Sequence, residues 1–184
     1  GGLVPGSAVL LSGNPGAGNS TLLIKVMCGL AAARSALYIT GEESLEQVAM
    51  RARRLQLPTD ALRVMAETNV DAVMDAAARE KADLLVVDSI QVLYSDSVDG
   101  APGGVGQVRE CAARLVQYAK RSGAVLLLVG HVTKEGSLAG PRVLEHMIDC
   151  FIMLEDENDS RYRTLRSSKN RFGAVNELGV FAMS

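Results

Sequence analysis

A mostly parallel α/β sheet with helices on both faces is the fold this sequence predicts, and three observations predict it. Short apolar runs alternate with helix-like segments along most of the chain. The runs are continuously apolar rather than alternating, as in strands buried on both faces. The 184 residues are 48% apolar but only 4% aromatic, with no Trp, which suits one domain packed with Ala, Val and Leu.

Val9 to Ser12 reads as the first strand and Ser20 to Ala33 as the helix after it. Ala36 to Thr40 is a second buried strand, ended by Gly41, and Ser44 to Leu55 is helical with Ser44 as its N-cap. Leu62 to Ala66 is a short strand, Val70 to Lys81 an alanine-rich helix, and Asp83 to Asp88 a strand closed by an acid. A Gly/Ser/Asp-rich loop, about 94–106, precedes a helix that runs to Arg121. Ala124 to Val129 is another buried strand, followed by a loop from Gly130 to Pro141. Three strand-like segments close the chain: Cys150 to Leu154, Tyr162 to Arg166 and Leu178 to Met183. They read as antiparallel strands extending one sheet edge.

A net charge of −2 excludes a general affinity for polyanions, so any nucleic-acid contact has to come from a local patch. Cys28, Cys111 and Cys150 form no Cys-x-x-Cys pair, which leaves zinc unsupported and reads as free thiols in a reducing cytoplasm. No apolar run has membrane length. The chain starts at Gly1 without an initiator Met, as a core excised from a longer protein would.

The chemistry centres on 13–21, Gly-Asn-Pro-Gly-Ala-Gly-Asn-Ser-Thr, set between a strand and a helix. That is the context of a phosphate-binding P-loop. Gly13, Gly16 and Gly18 let the backbone turn its N–H groups inward, and the helix N-terminus adds more donors and a positive dipole end. Gly13, Pro15, Gly16, Ala17, Gly18, Asn19, Ser20 and Thr21 would line the phosphates, with Ser20 placed to hold Mg²⁺. The motif calls for Lys at position 19, where this chain has Asn19. An asparagine amide is shorter and neutral, and Lys25 lies roughly 9 Å further along a helix rising about 1.5 Å per residue. The cradle is kept and its main charge is lost, so nucleotide affinity is expected to be weakened and hydrolysis crippled.

Asp88, ending an apolar strand downstream of the P-loop, fits the second nucleotide motif: an acid beside the P-loop strand, holding Mg²⁺ with Ser20. Glu42 and Glu43 follow the second strand at the edge where ligands collect in open α/β sheets. Glu42, nearest the strand end, is favoured to orient the attacking water, and Glu43 to serve the next helix; capping by both stays open. His131 ends its strand where it could sense the γ-phosphate or simply be a satisfied terminus, and His146 reads as structural.

Arg161, Arg163, Arg166, Lys169 and Arg171 fall in one acid-free stretch. Lys169 and Arg171, two residues apart, would share one side of an extended chain and could meet a neighbouring subunit's phosphate, as an arginine finger does. The alternative is a solvated edge strand kept from aggregating by charge, preferred for Arg161 and Arg163. Lys134 and Arg142 are the cations available to DNA phosphates in the second long loop. Neither long loop carries an aromatic ladder for stacked bases, so any DNA contact would be largely sequence-independent.

These residues together resemble the ATPase core of the bacterial RadA (Sms) family. The matching stretches are Thr40-Gly41-Glu42-Glu43-Ser44, Val87-Asp88-Ser89-Ile90-Gln91, Val129 to Lys134, Gly140 to His146 and, most specifically, Lys169-Asn170-Arg171-Phe172-Gly173. The resemblance covers essentially the whole chain. It implies a RecA-like fold over 1–184, ATP/ADP and Mg²⁺ as ligands, and a homo-oligomeric hexameric ring similar to DnaB-type helicases. It further implies movement on single-stranded DNA that assists branch migration in recombination, with the recombinase RecA as a partner. In such rings Lys169 and Arg171 would act in trans and the long loops would face the DNA. Family members usually also carry an N-terminal zinc finger and a C-terminal Lon-like domain. Asn19 departs from the family's lysine, and with the other motifs intact it reads as a deliberate substitution. A KaiC-like regulatory ATPase and a non-enzymatic nucleotide-binding ring scaffold are the alternatives.

Overall fold

The computed structural model describes residues 3–13, 35–57, 62–131, 140–156, 162–173 and 178–182. Most of the P-loop (14–21), the helix expected after it with Cys28, and Lys134 of the second long loop lie outside these residues.

Eight strands form one sheet in the order β3-β2-β4-β5-β1-β6-β7-β8. They are β1 Ala8–Gly13, β2 Ala36–Thr40, β3 Leu62–Ala66, β4 Leu84–Asp88, β5 Val125–His131, β6 Cys150–Asp156, β7 Tyr162–Asn170 and β8 Leu178–Ala182. Strands β1 to β6 run parallel, and β7 and β8 join antiparallel. The sheet is the mostly parallel one of a RecA-like core, with its antiparallel strands at the C-terminal edge. Of the three tail strands, β6 pairs parallel with β1 before the direction reverses at β7. Asp88 is not beside the P-loop strand: β5 lies between β4 and β1. Strand order is set by long-range pairing, which the local apolar pattern does not encode.

Among the described residues three α-helices cover the sheet: α1 Leu45–Arg54, α2 Val70–Arg79 and α3 Val105–Ser122. Ser44 caps α1 in a capping box: its side chain accepts from Gln47 N, and the Gln47 side chain accepts from Ser44 N. Asn69 caps α2 by accepting from Asp71 N and Ala72 N. Helix α3 ends at Gly123, whose φ of 78° is the left-handed conformation that glycine adopts without a steric penalty.

Alternate residues of each strand face opposite layers, so the sheet supports two cores. Leu10, Leu37, Ile39, Leu85, Val87, Leu126 and Leu128 pack with α2 and the Val108, Cys111, Leu115, Ala119 stripe of α3. Val9, Leu11, Tyr38, Val86, Leu127 and Val129 pack on the other face with Val48 and Ala52 of α1. The spacing of the buried α1 and α3 residues at three and four is what makes each helix one-sided. Cys111 and Cys150 are free thiols, and burial pushes the Cys111 thiol up to about 12 and raises Cys150 as well. Among the described residues no helix is long and apolar enough to cross a membrane.

Two further segments differ from the sequence reading. Pro141, expected as the end of a loop, opens a short 3-10 turn, Pro141–Leu144, and β7 continues to Asn170 rather than ending at Arg166. The 94–106 loop is tied inward by Gln107, which is buried. Its side chain accepts from Ser95 N and donates to the carbonyls of Ser95, Val98 and Gly100.

Candidate active site

Parallel strands bring their C-terminal ends to one edge of the sheet, and that is where polar residues interrupt the apolar runs. In register across the sheet, Thr40 of β2 faces Asp88 of β4, Asp88 faces Val129 of β5, and His131 of β5 faces Gly13 of β1. The strand that precedes the glycine-rich sequence therefore has β5, with His131, as its neighbour, and Asp88 lies one strand further on.

Gly41 is what lets Glu42 join them. A Cβ at position 41 would lie 2.1 Å from Val92 Cγ2, so the chain can pass here only as glycine. Gly41 N donates to Asp88 O at 3.0 Å, which turns the chain over the end of β4. Ser89 Oγ then donates to Glu42 Oε1 at 3.1 Å and orients the carboxylate. Glu43 turns the other way. It receives Arg51 of α1 through two contacts at 2.8 and 2.7 Å, and its carbonyl accepts from Thr40 Oγ1.

Asp88 is buried, and Tyr38 Oη donates to its Oδ2 at 2.7 Å. Burial first, and the Asp88 carboxylate second, raise the Tyr38 phenol far above its ordinary value, so it remains a donor. His131 is fixed through its backbone: Gln91 Nε2 donates to His131 O at 3.0 Å and Gln91 Oε1 accepts from His131 N at 3.2 Å. Its Nε2 lies 3.4 Å from Glu42 Oε2 without hydrogen-bond geometry. Both ring nitrogens are buried and lack a hydrogen-bond partner among the described residues.

Ligand atoms of Glu42, Asp88 and His131 all lie within 4.8 Å of one another. The carboxylates supply the hard oxygens that Mg²⁺ takes, while a neutral imidazole is a poor Mg²⁺ ligand and a good partner for a phosphate oxygen. The residues present fit a magnesium–phosphate group: the carboxylates of Asp88 and Glu42 could hold the metal, and the ring nitrogens of His131 could meet a phosphate oxygen.

Lys169 and Arg171 are not part of this cluster. Lys169, on β7 opposite Phe151, donates from Nζ to Glu145 O, and Arg171 Nη1 meets Asp149 Oδ1 at 2.6 Å. Asp149 hydrogen-bonds to Ala8, the first residue of β1, so Arg171 stands at the opposite edge of the sheet from His131. Ala8 and Gly13 are the ends of the six-residue β1, roughly 17 Å apart at about 3.3 Å per residue. Arg171 is beyond reach of the site in its own subunit.

Of the expected site residues, Gly13, Glu42, Asp88 and His131 share one edge. Pro15, Gly16, Ala17, Gly18, Asn19, Ser20 and Thr21 lie outside the described residues. Sequence reasoning missed Tyr38, Ser89 and Gln91. Only the register that sets β2 beside β4 could have pointed to Tyr38, whereas Ser89 and Gln91 were visible as polar residues directly after the strand-end acid.

This sheet, with acids at its strand exits and a glycine-rich sequence after β1, defines a P-loop ATPase-type domain. The chain belongs to the AAA domain family, whose model matches residues 1–137. It is also similar along its whole length to curated proteins named DNA repair protein RadA. Identity is 61% over 184 residues with the one from Haemophilus influenzae, 60% with that from Escherichia coli and 48% with that from Bacillus subtilis. The chain spans about 40% of the length of these relatives.

Proposed function

We propose that the chain is the nucleotide-driven core of a bacterial DNA repair protein, binding ATP and ADP with Mg²⁺ at the exits of β1, β4 and β5. The convergence of Glu42, Asp88 and His131 within 4.8 Å carries this reading. Residues 13–21 would hold the triphosphate through main-chain N–H groups, with Ser20 and Asp88 on the metal. Bound Mg²⁺ neutralises phosphate charge. Glu42, oriented by Ser89, positions the attacking water and accepts its proton, and His131 donates to a γ-phosphate oxygen. Because Gln91 grips the His131 backbone, a change at the phosphate is passed to the end of β5 and the residues after it.

The same reading makes the assembly a hexameric ring of the DnaB type that moves on single-stranded DNA in recombination, alongside the recombinase RecA. The relatives' name, DNA repair protein RadA, and the distance of Arg171 from the site in its own subunit support it. Asn19 removes the lysine charge that follows the β- and γ-phosphates, so this chain binds nucleotide and turns it over slowly. ATP hydrolysis by the Asn19→Lys variant, with and without single-stranded DNA, tests the reading. Turnover that DNA accelerates is the expected result; a lysine variant with no turnover contradicts it.

Asn19 favours one second reading, a nucleotide-binding ring scaffold that does not hydrolyse. It predicts nucleotide-dependent assembly in both variants and no DNA-stimulated turnover in either.

A further inference from the structure

The buried carboxylate of Asp149 is the strongest feature the ATP site does not use. All four of its polar groups are engaged, and they join two distant segments. Oδ2 accepts from Ala8 N at 2.9 Å, and Asp149 N donates to Ala8 O at 2.9 Å. Oδ1 meets Arg171 Nη1 at 2.6 Å, and Asp149 O accepts from Arg171 N at 2.8 Å. Asp149 is 3% exposed, whereas the Arg171 side chain is 52% exposed.

The turn that carries Arg171 is itself built. Phe172 N donates to Asn170 Oδ1 at 3.0 Å, closing an Asx-type turn. A Cβ on Gly173 would come within 3.1 Å of the Asn170 side chain, so the chain leaves tightly beneath it. Phe172 is 53% exposed, and the turn presents a cation and an aromatic ring outward together.

The geometry points to Asp149 as the positioning residue for Arg171, holding the guanidinium in its outward pose while tying it to the first residue of the strand that leads to the same subunit's phosphate loop. A guanidinium has five N–H donors, and one bond to Asp149 leaves the others for an anion outside the subunit. Swinging Arg171 away would leave a buried carboxylate without its cation, so the arginine works from Asp149 rather than by leaving it. Each subunit's own β1 is thereby coupled to the cation it lends to its neighbour. This inference rests on the proposal that Arg171 acts in trans.

The experiment uses the chain with Asn19→Lys as the turnover-competent background. Arg171→Ala is expected to lower kcat by about a thousandfold, within the range of a lost arginine finger. Asp149→Asn keeps an acceptor for Ala8 N and is expected to lower kcat about tenfold through misplacement of the guanidinium. Mixing Asp149→Asn subunits with Glu42→Gln subunits should restore turnover. The latter are inactive in their own site but lend a correctly held Arg171. Damage confined to the subunit's own phosphate strand would not be rescued by a neighbour. An Asp149→Asn variant as active as its parent, or one not rescued by mixing, overturns the positioning role while leaving the finger reading in place. An Arg171→Ala variant as active as its parent overturns both.

A second measurement needs no turnover. In the Asn19 chain the shifts in Tm caused by Asp149→Asn and Arg171→Ala should be clearly non-additive in the double variant. Additive shifts overturn the pairing.

Discussion

Tyr38 Oη donates to Asp88 Oδ2 at 2.7 Å, so a residue buried in the centre of β2 holds the acid at the end of β4. The bond crosses between adjacent strands and fixes the carboxylate before any ligand arrives. Tyr38→Phe removes one donor from a buried acid, and the expected loss of stability is about 1–3 kcal/mol in denaturant unfolding. Magnesium-dependent nucleotide binding should weaken by more than magnesium-free binding in the same titration. Equal weakening would mean that the hydroxyl serves the fold alone.

Gly41→Ala tests the turn that delivers Glu42. The new methyl would have to displace Val92, whose Cγ2 stands 2.1 Å from its position. Overpacking of this kind costs about 1–3 kcal/mol, and turnover in the Asn19→Lys background should fall with it. Full activity at an unchanged Tm would show that Glu42 does not depend on this approach.

Much of this edge was legible in the residues. Leu84 to Val87 and Val125 to Val129 are apolar without a break, so their burial on both faces and their parallel pairing followed from composition alone. Asp88 and His131 stood out because each ends such a run. The neighbours of those strands were not legible: placing β5 between β4 and β1 depends on which long-range pairings close the sheet. The partner of Glu43 was not legible either: Arg51, on α1, meets its carboxylate at 2.7 Å only once the chain is folded. The Pro141–Leu144 turn is four residues long, too short to show a period. Asp149 carries no motif, and only the registers of β6 with β1 and with β7 make it the partner of Ala8 and Arg171.

Gln91→Ala should loosen the end of β5. Its amide makes two bonds to the His131 backbone at 3.0 and 3.2 Å, closing the gap where strand pairing ends. Faster hydrogen exchange at the His131 amide is the expected outcome, with exchange at Leu126 in mid-strand unchanged. Unchanged exchange at His131 would show that the strand end is held by other contacts.

Cys111 makes stability depend on alkaline pH. Burial raises its thiol from an ordinary 9.0 to about 12, so the folded state keeps a proton that the unfolded state gives up. The contribution is fully present below pH 9 and is lost as pH rises toward 12. Unfolding midpoints in urea should decline over that window, and Cys111→Ala should flatten the decline. In the native state at neutral pH, alkylation of Cys111 should be negligible and should appear only with unfolding.

The most direct test is a crystal structure of the Asn19 chain with Mg²⁺ and a non-hydrolysable ATP analogue. The triphosphate is expected along main-chain N–H groups of 13–21, with the metal beside Asp88 and His131 facing the terminal phosphate. A fully occupied analogue lodged anywhere else on the sheet would contradict the account.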